Sequence, residues 1–513
     1  MKERIIGPDY KSLKNSFVSK DILDNEKFLR NIFSKSNDLR FEKLSYGKKN
    51  REILLVYIED LVRLETIQNY VLTLRMTAFQ NENNNLNSID LKDSLFKIVG
   101  AEEANTFDAL ILKLLSGNTL LFIDEIEEAL IIKTKEKRER AIGMAQSEQT
   151  IRGSRVAFTE NVETNIALVR SQIKDPNLSI EKIKLGKRNQ KDVAVMYIRG
   201  VINNNLPSAI IEKIQKVDVD GVVGTGQLEQ YIVNNKWTVL PQTMITERLD
   251  RVVGNLLEGK AVIISDGTPF VSIIPTTFKM FLSSPDDYLY HPVVASVLLR
   301  LVRYMAFFIA TSFAPLYLAL TLYQTGMIPT PLALSITGSR LGLPFPMVVE
   351  VFIMEITLYI LQEASVRLPK PMGTTVGVVG GLVIGQSVVS AGLVTPIIVI
   401  IIAGSAISSF ALPSYPFSLG CTLIRIFLIS LASTLGLYGV VLGWIIILIH
   451  TASLDNYGIR YLSDFSPYST ANYKDSIIKI PERYIYERPS NIDVEDNIKN
   501  NTDKVDDRTN DKW

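Results

Sequence analysis

The hydrophobic pattern divides the chain into two unlike halves. Residues 1–47 are polar and weakly periodic, which predicts a polar extension to about residue 50 with one helix at most. From Arg51 the pattern sharpens: residues 53–58 form a β-favouring run bounded by charges. A helix-period stretch and the polar loop 81–87 follow, and residues 120–123 are another strand candidate. Residues 51–145 therefore read as a small α/β unit. Residues 165–170 look helical, with strand candidates after them at 179–185 and 192–199. Helical patterns near 206–217 and 245–258 lead to strands at 260–265 and 269–274. Asp266-Gly267 between the last two predicts a hairpin, because a type I′ turn needs positive φ at both central positions. This second α/β unit covers 151–285.

Beyond about residue 290 the pattern is apolar. Spans of the ~20 residues a bilayer requires are predicted at 304–323, 347–363, 374–393 and 395–412. The stretch 426–450 is one long span or part of a hairpin beginning near Tyr415. Residues 324–346 are apolar but broken by Pro329, Pro331, Pro344 and Pro346, which predicts a re-entrant or interfacial segment. The fold expected is a multispan α-helical membrane domain, 290–452, preceded by a cytoplasmic α/β region of two subdomains. A C-terminal tail, 453–513, is expected to be disordered from about Asp475.

Charge supports this division. The chain carries 55 Lys and Arg and 54 Asp and Glu. Between Leu301 and His450 the only charges are Arg303, Arg340, Glu350, Glu355, Glu363, Arg367, Lys370 and Arg425. A surface so poor in charge suits lipid. Arg300 and Arg303 precede the first span, and Arg367 and Lys370 follow the second. The positive-inside rule puts both groups on the cytoplasmic side. The N-terminal sequence MKERIIGPDYKSLKNSF has no apolar core, so no secretory signal is expected there. The net charge of +1 is uninformative about partners, and it lacks the strong basic bias usual in a nucleic-acid binder, so no nucleic-acid partner is expected.

Catalytic chemistry finds little support. Cys421 is the only cysteine and reads as a small buried side chain. His291 and His450 lie far apart and suggest neither a zinc site nor a nucleophilic triad. Gly221, Gly224 and Gly226 have the wrong spacing for dinucleotide binding and read as a loop. No cofactor is expected. The informative polar residues are intramembrane. A carboxylate at the depth of Glu355 is costly and functional by default, and Gln362, seven residues on, shares its helix face. In 374–393, Gly377, Gly381 and Gly385 form a doubled small-xxx-small face for close helix packing. Val379, Gln386 and Ser390 mark another face, which makes this helix the pore-lining candidate.

Several motifs stand out: Arg152, Gly153, Phe158, Glu160, Asn165 and Arg170 in RGSRVAFTENVETNIALVR, Pro241-Gln242, and Thr246-Glu247-Arg248. Further on lie LLEGKAVIISDGTPFVSIIPTTF from Leu256, EASVRLP from Glu363, and GGLVIGQSVVSAGLVTP from Gly380. Together these segments resemble spore germination receptor A subunits, the GerA family of endospore formers. The resemblance runs from about residue 50 to 490. Ser154, Leu249 and Arg460 stand where the family usually has proline. The resemblance implies a subunit of the inner spore membrane, acting with a permease-like B subunit and a lipoprotein C subunit. It also implies a ring of like subunits forming a nutrient-gated ion channel. A secondary transporter, with matched broken helices in two halves, and a non-conducting scaffold are the alternatives.

Overall fold

The structure is a computed structural model. It describes residues 16–46, 51–80, 101–135, 143–145, 147–148, 152–367, 381, 383, 385–466, 479–481, 485–489 and 493–499.

Two antiparallel five-stranded sheets make up the α/β region. The first unit runs α1 (Ile22–Ile32), β1 (Leu39–Tyr46), β2 (Arg51–Ile58), α2 (Leu64–Gln80), β3 (Glu102–Ala104), α3 (Phe107–Leu114), β4 (Thr119–Ile123) and β5 (Ala129–Ile132). The second runs α4 (Val162–Gln172), β6 (Leu178–Leu185), β7 (Lys191–Ile198), α5 (Asn205–Gln215), α6 (Thr225–Ile232), β8 (Met244–Thr246), α7 (Leu249–Leu257), β9 (Ala261–Ser265) and β10 (Val271–Ile274). The strand orders, β1-β2-β4-β5-β3 and β6-β7-β9-β10-β8, are the same topology.

The likeness extends to single side chains about 140 residues apart, as from Ile22 to Val162. The Asn25 amide bonds both the N–H and the C=O of Ser19 ahead of α1, and Asn165 bonds those of Thr159 ahead of α4. Each amide satisfies a donor and an acceptor that the chain would otherwise bury unpaired at the helix entrance. Tyr57 donates to Glu42 across β1 and β2 at 2.6 Å, and Tyr197 donates to Glu181 across β6 and β7 at 2.5 Å. Gly117 and Gly259, ahead of β4 and β9, both hold φ near +90°. The two units are copies of one design.

Three expectations need correction. Residues 22–46, read as polar extension, supply α1 and β1 of the first sheet. An edge strand with one wet face carries charges such as Arg40, Glu42 and Lys43, which blurred its pattern. The helical pattern at 245–258 is the short strand β8 followed by α7. Leu249 is the first helical position. Between β9 and β10 the register pairs Ile264 with Val271, so residues 265–270 form a longer connection. Of Asp266 and Gly267, only Gly267 has positive φ.

The helical half begins with two short helices, α8 (Phe278–Leu282) and α9 (Pro285–Leu289), which form an elbow. Then come α10 (Val293–Leu322), α11 (Thr330–Ser339), α12 (Met347–Arg367), α13 (Pro396–Phe410) and α14 (Tyr415–Ser453). Among the described residues, α10 and α14 are long and apolar enough to cross a membrane. The segment α14 reverses at Gly436, whose backbone leaves helical geometry at φ 62°, ψ −141°. Gly443 faces Leu428, with its Cβ position 2.5 Å from Leu428 Cδ2, and Gly439 faces the Leu431 carbonyl. Residues 415–435 and 437–453 thus form an antiparallel hairpin, the second of the two forms expected for this stretch. At about 1.5 Å per residue, 415–435 reaches roughly 30 Å. The tip meets the far end of α10, where the Tyr323 hydroxyl donates to the Ser433 carbonyl at 2.7 Å.

The second α/β unit and the helices share one core. Phe281, Phe417, Cys421, Ile424, Leu428 and Tyr461 pack with Val169, Met196 and Val271. The tail read as disordered is ordered at its described residues. Arg488 donates to the carbonyls of Leu257 and Asp496, and Val494 packs at Ile459.

Candidate functional site

In the apolar half three helices meet on one buried ion pair. Glu355 of α12 and Arg425 of α14 are 4% and 2% exposed. Arg425 Nη2 donates to Glu355 Oε2 at 2.9 Å, and Nε lies 2.8 Å from Oε1, off the hydrogen-bond direction. Arg425 Nη1 donates to the Ala310 carbonyl of α10 at 2.9 Å. One guanidinium therefore ties α10, α12 and α14, and fork geometry suits arginine to this. A turn away, the fully buried Glu350 accepts the Thr395 N–H at the start of α13 at 3.1 Å. Its other oxygen lies 3.5 Å from Arg340. This carboxylate caps a helix N-terminus, where a negative charge is stabilised.

The predicted site residues fall into separate places. Gln362, half-buried, lines a cavity of about 400 Å³ between α12, α13 and the start of α14, away from the Glu355 pair. Val379 and Gly377 lie outside the described residues. Gly381 has open space where a Cβ would sit, and Gly385 has only Val399 Cγ1 at 3.9 Å. Among the described residues, nothing packs at Gly381. Gln386 and Ser390 are exposed on the helical stretch 385–390. Sequence reasoning missed Arg425 as the partner of Glu355. An arginine alone in an apolar run was the available signal.

The RGSRVAF motif serves the junction between the α/β region and the helices. Arg152 is exposed. Gly153 holds φ 131°, and a Cβ there would collide with the ring of Tyr290 at the elbow. The Ser154 N–H donates to the Tyr290 hydroxyl at 3.3 Å, and that hydroxyl donates to Asp250 at 3.1 Å. Burial raises the pKa of Tyr290, so it stays a neutral donor. Arg248 bridges Asp250 at 2.7 Å and Asp286 of α9 at 3.0 Å. The buried Asp287 pairs with Arg303 of α10. Phe158 is buried in the shared core. Glu160 is exposed and offers its carbonyl to the Gly267 N–H at 2.6 Å.

Arg170 joins the two α/β units. It is fully buried and bonds Asp38 of the first unit through Nε at 2.9 Å and Nη2 at 3.1 Å. Ser36 pairs with Ile180 as a parallel bridge alongside. Asp60 reaches across the same contact to Lys182 at 3.6 Å. Burial pushes its pKa up to about 7 despite that lysine.

Known proteins resemble this chain over most of its length. The model of the Bacillus/Clostridium GerA spore germination protein family matches residues 27–491. Spore germination protein KA of Bacillus subtilis (strain 168) is 36% identical over 91% of this chain and 86% of its own length. Spore germination protein GerLA of Bacillus cereus is 35% identical over 92% and 95%. The crystal structure of the N-terminal domain of the A subunit of the Bacillus megaterium spore germinant receptor GerK3 aligns with 31% identity and a TM-score of 0.41. It covers 51% of this chain and 98% of that one. The chain belongs to the GerA family of spore germination proteins, the family of germinant-receptor A subunits.

Proposed function

We propose that this chain is a multispan subunit of the inner spore membrane, with its α/β region in the cytoplasm, and that like subunits form a ring conducting ions when nutrient is sensed. What supports the reading is exposed polar surface in the apolar half. Gln386 and Ser390 are exposed on a helix there, beside Gly381, where nothing packs among the described residues. Hydrocarbon satisfies no amide. A ring of copies covers the glycine face and turns Gln386 and Ser390 toward water, with Val379 as the apolar constriction. An apolar ring holds a pore closed by dewetting. The buried pairs at Glu355 and Glu350 hold the other helices as a rigid wall. Nutrient recognition and lipid anchorage then belong to a permease-like B subunit and a lipoprotein C subunit. The chain itself needs no catalysis for this role.

Ion flux from liposomes holding the purified receptor complex tests this, with Val379→Ala beside the unaltered chain. Nutrient-dependent flux, with nutrient-independent leak from the variant, is expected. No flux from either, with the complex intact, refutes the channel.

A further inference from the structure

We infer that the loop at 233–240 of the second α/β unit is a lipid-surface anchor, with Trp237 seated in the bilayer interface. The inference rests on the membrane reading above and adds a contact to it. Trp237 is 95% exposed, an unusual cost for the largest apolar side chain. Its neighbours fix where it stands. The Thr238 hydroxyl is 2.9 Å from His450 Nε2, near the end of the returning arm of the α14 hairpin. The Val239 carbonyl abuts Gly420 on the outgoing arm, 2.6 Å from where a Cβ would sit. No side chain larger than hydrogen fits between loop and helix there.

On the returning arm the apolar exterior stops at that level. Ile449 is 65% and Leu448 55% exposed immediately before His450. Tyr415, at the start of the same hairpin, is 68% exposed, and at the other end Tyr323 and Tyr438 are 50% and 68% exposed. Aromatic side chains at both ends of an apolar band mark the two membrane interfaces. Trp237 completes the near belt from outside the helices, with Val239, 43% exposed, beside it and the exposed Lys236 before it. An indole places its ring against acyl carbonyls and its N–H toward water, and a neighbouring lysine suits anionic headgroups. The partner is thus a lipid surface. The anchor sets the height of the second unit above the bilayer at a point fixed by the helix hairpin.

Depth-dependent fluorescence quenching tests this on the full chain in phosphatidylcholine and phosphatidylglycerol vesicles. One protein keeps Trp237 alone, through Trp444→Phe and Trp513→Phe. A second keeps Trp444 alone, through Trp237→Phe and Trp513→Phe. A third carries an NBD probe on Trp237→Cys and leaves Trp444 in place; the buried native Cys421 stays unlabelled. Lipids brominated near the headgroup should quench Trp237 more than those brominated at the chain end, and aqueous iodide should quench it little. The NBD probe should give the same depth order. Trp444, packed on Phe307 and Phe308 in the bundle, should respond to deeper bromines. Quenching of Trp237 by iodide and by no lipid, with Trp444 still quenched by lipid, overturns the anchor and leaves the membrane reading standing. Lipid quenching of neither tryptophan overturns both.

Discussion

The ion pair between Glu355 and Arg425 gives the sharpest quantitative prediction. Replacing Glu355 by leucine leaves the Arg425 guanidinium buried among three helices with only the Ala310 carbonyl to bond. Breaking a buried pair by removing one partner costs about 3–5 kcal/mol. Insertion scales put a lone arginine at a helix centre at about 2.5–3.5 kcal/mol, so the two estimates agree. A shift of that size is roughly two to three orders of magnitude in a folding equilibrium. Glu355→Leu and Arg425→Met should each lower the amount of protein surviving detergent extraction and heating. The double variant Glu355→Leu/Arg425→Met should recover most of it, because an apolar pair of similar volume is close to neutral. The assay is the folded fraction by size-exclusion chromatography after a temperature series, with membrane insertion measured beside it. Losses that add in the double variant, with no recovery, refute the pairing as the reason these charges sit together. It is the arginine 70 residues on that makes the loss of Glu355 costly.

Other substitutions test the α/β region. Burial raises the folded pKa of Asp60 to about 7 from 3.8. A raised acid binds its proton more tightly when folded, so stability falls as pH rises from about 4 to 7 and stays low above. Asp60→Asn should flatten that slope and strengthen the contact between the units at pH 8, read by limited proteolysis across the pH range. Asn25→Ala and Asn165→Ala each strip a buried donor and acceptor at equivalent helix entrances. They should cost about 1–3 kcal/mol each, with equal local increases in hydrogen exchange if the two units are copies. Gly153→Ala forces a Cβ into the Tyr290 ring at φ 131° and should raise tryptic cleavage at Arg152 and Arg155. Tyr290→Ala in the same chain should leave only the backbone part of the effect.

Much of this was legible in the pattern of residues, for physical reasons. The strands at 53–58, 120–123 and 192–199 carry contiguous buried residues, and such runs announce themselves. Their arrangement as two equal sheets was not seen. Its traces were Gly47-Lys48-Lys49-Asn50 against Gly186-Lys187-Arg188-Asn189, and Tyr57-Ile58 against Tyr197-Ile198. Strand order is a non-local property, and periodicity carries only local information. The same limit hid the partners of Glu355 and Arg170, because Arg425 and Asp38 are distant along the chain. Gly153 stood out in sequence, but its reason, the Tyr290 ring, lies 137 positions on. Gly436 makes the last apolar run a hairpin, a form the pattern offered beside a single span without placing the turn.

Sidedness of the hairpin tip tests the membrane architecture most directly. Cys421 is buried, so single thiols can be placed at the exposed Thr434 beside the tip and at Arg188 in the second α/β unit. An impermeant maleimide applied to intact cells should label Thr434→Cys, and should label Arg188→Cys only after the membrane is opened. Labelling of both variants from the outside, or of neither until the membrane is opened, would mean that the hairpin does not cross, and would contradict the multispan account.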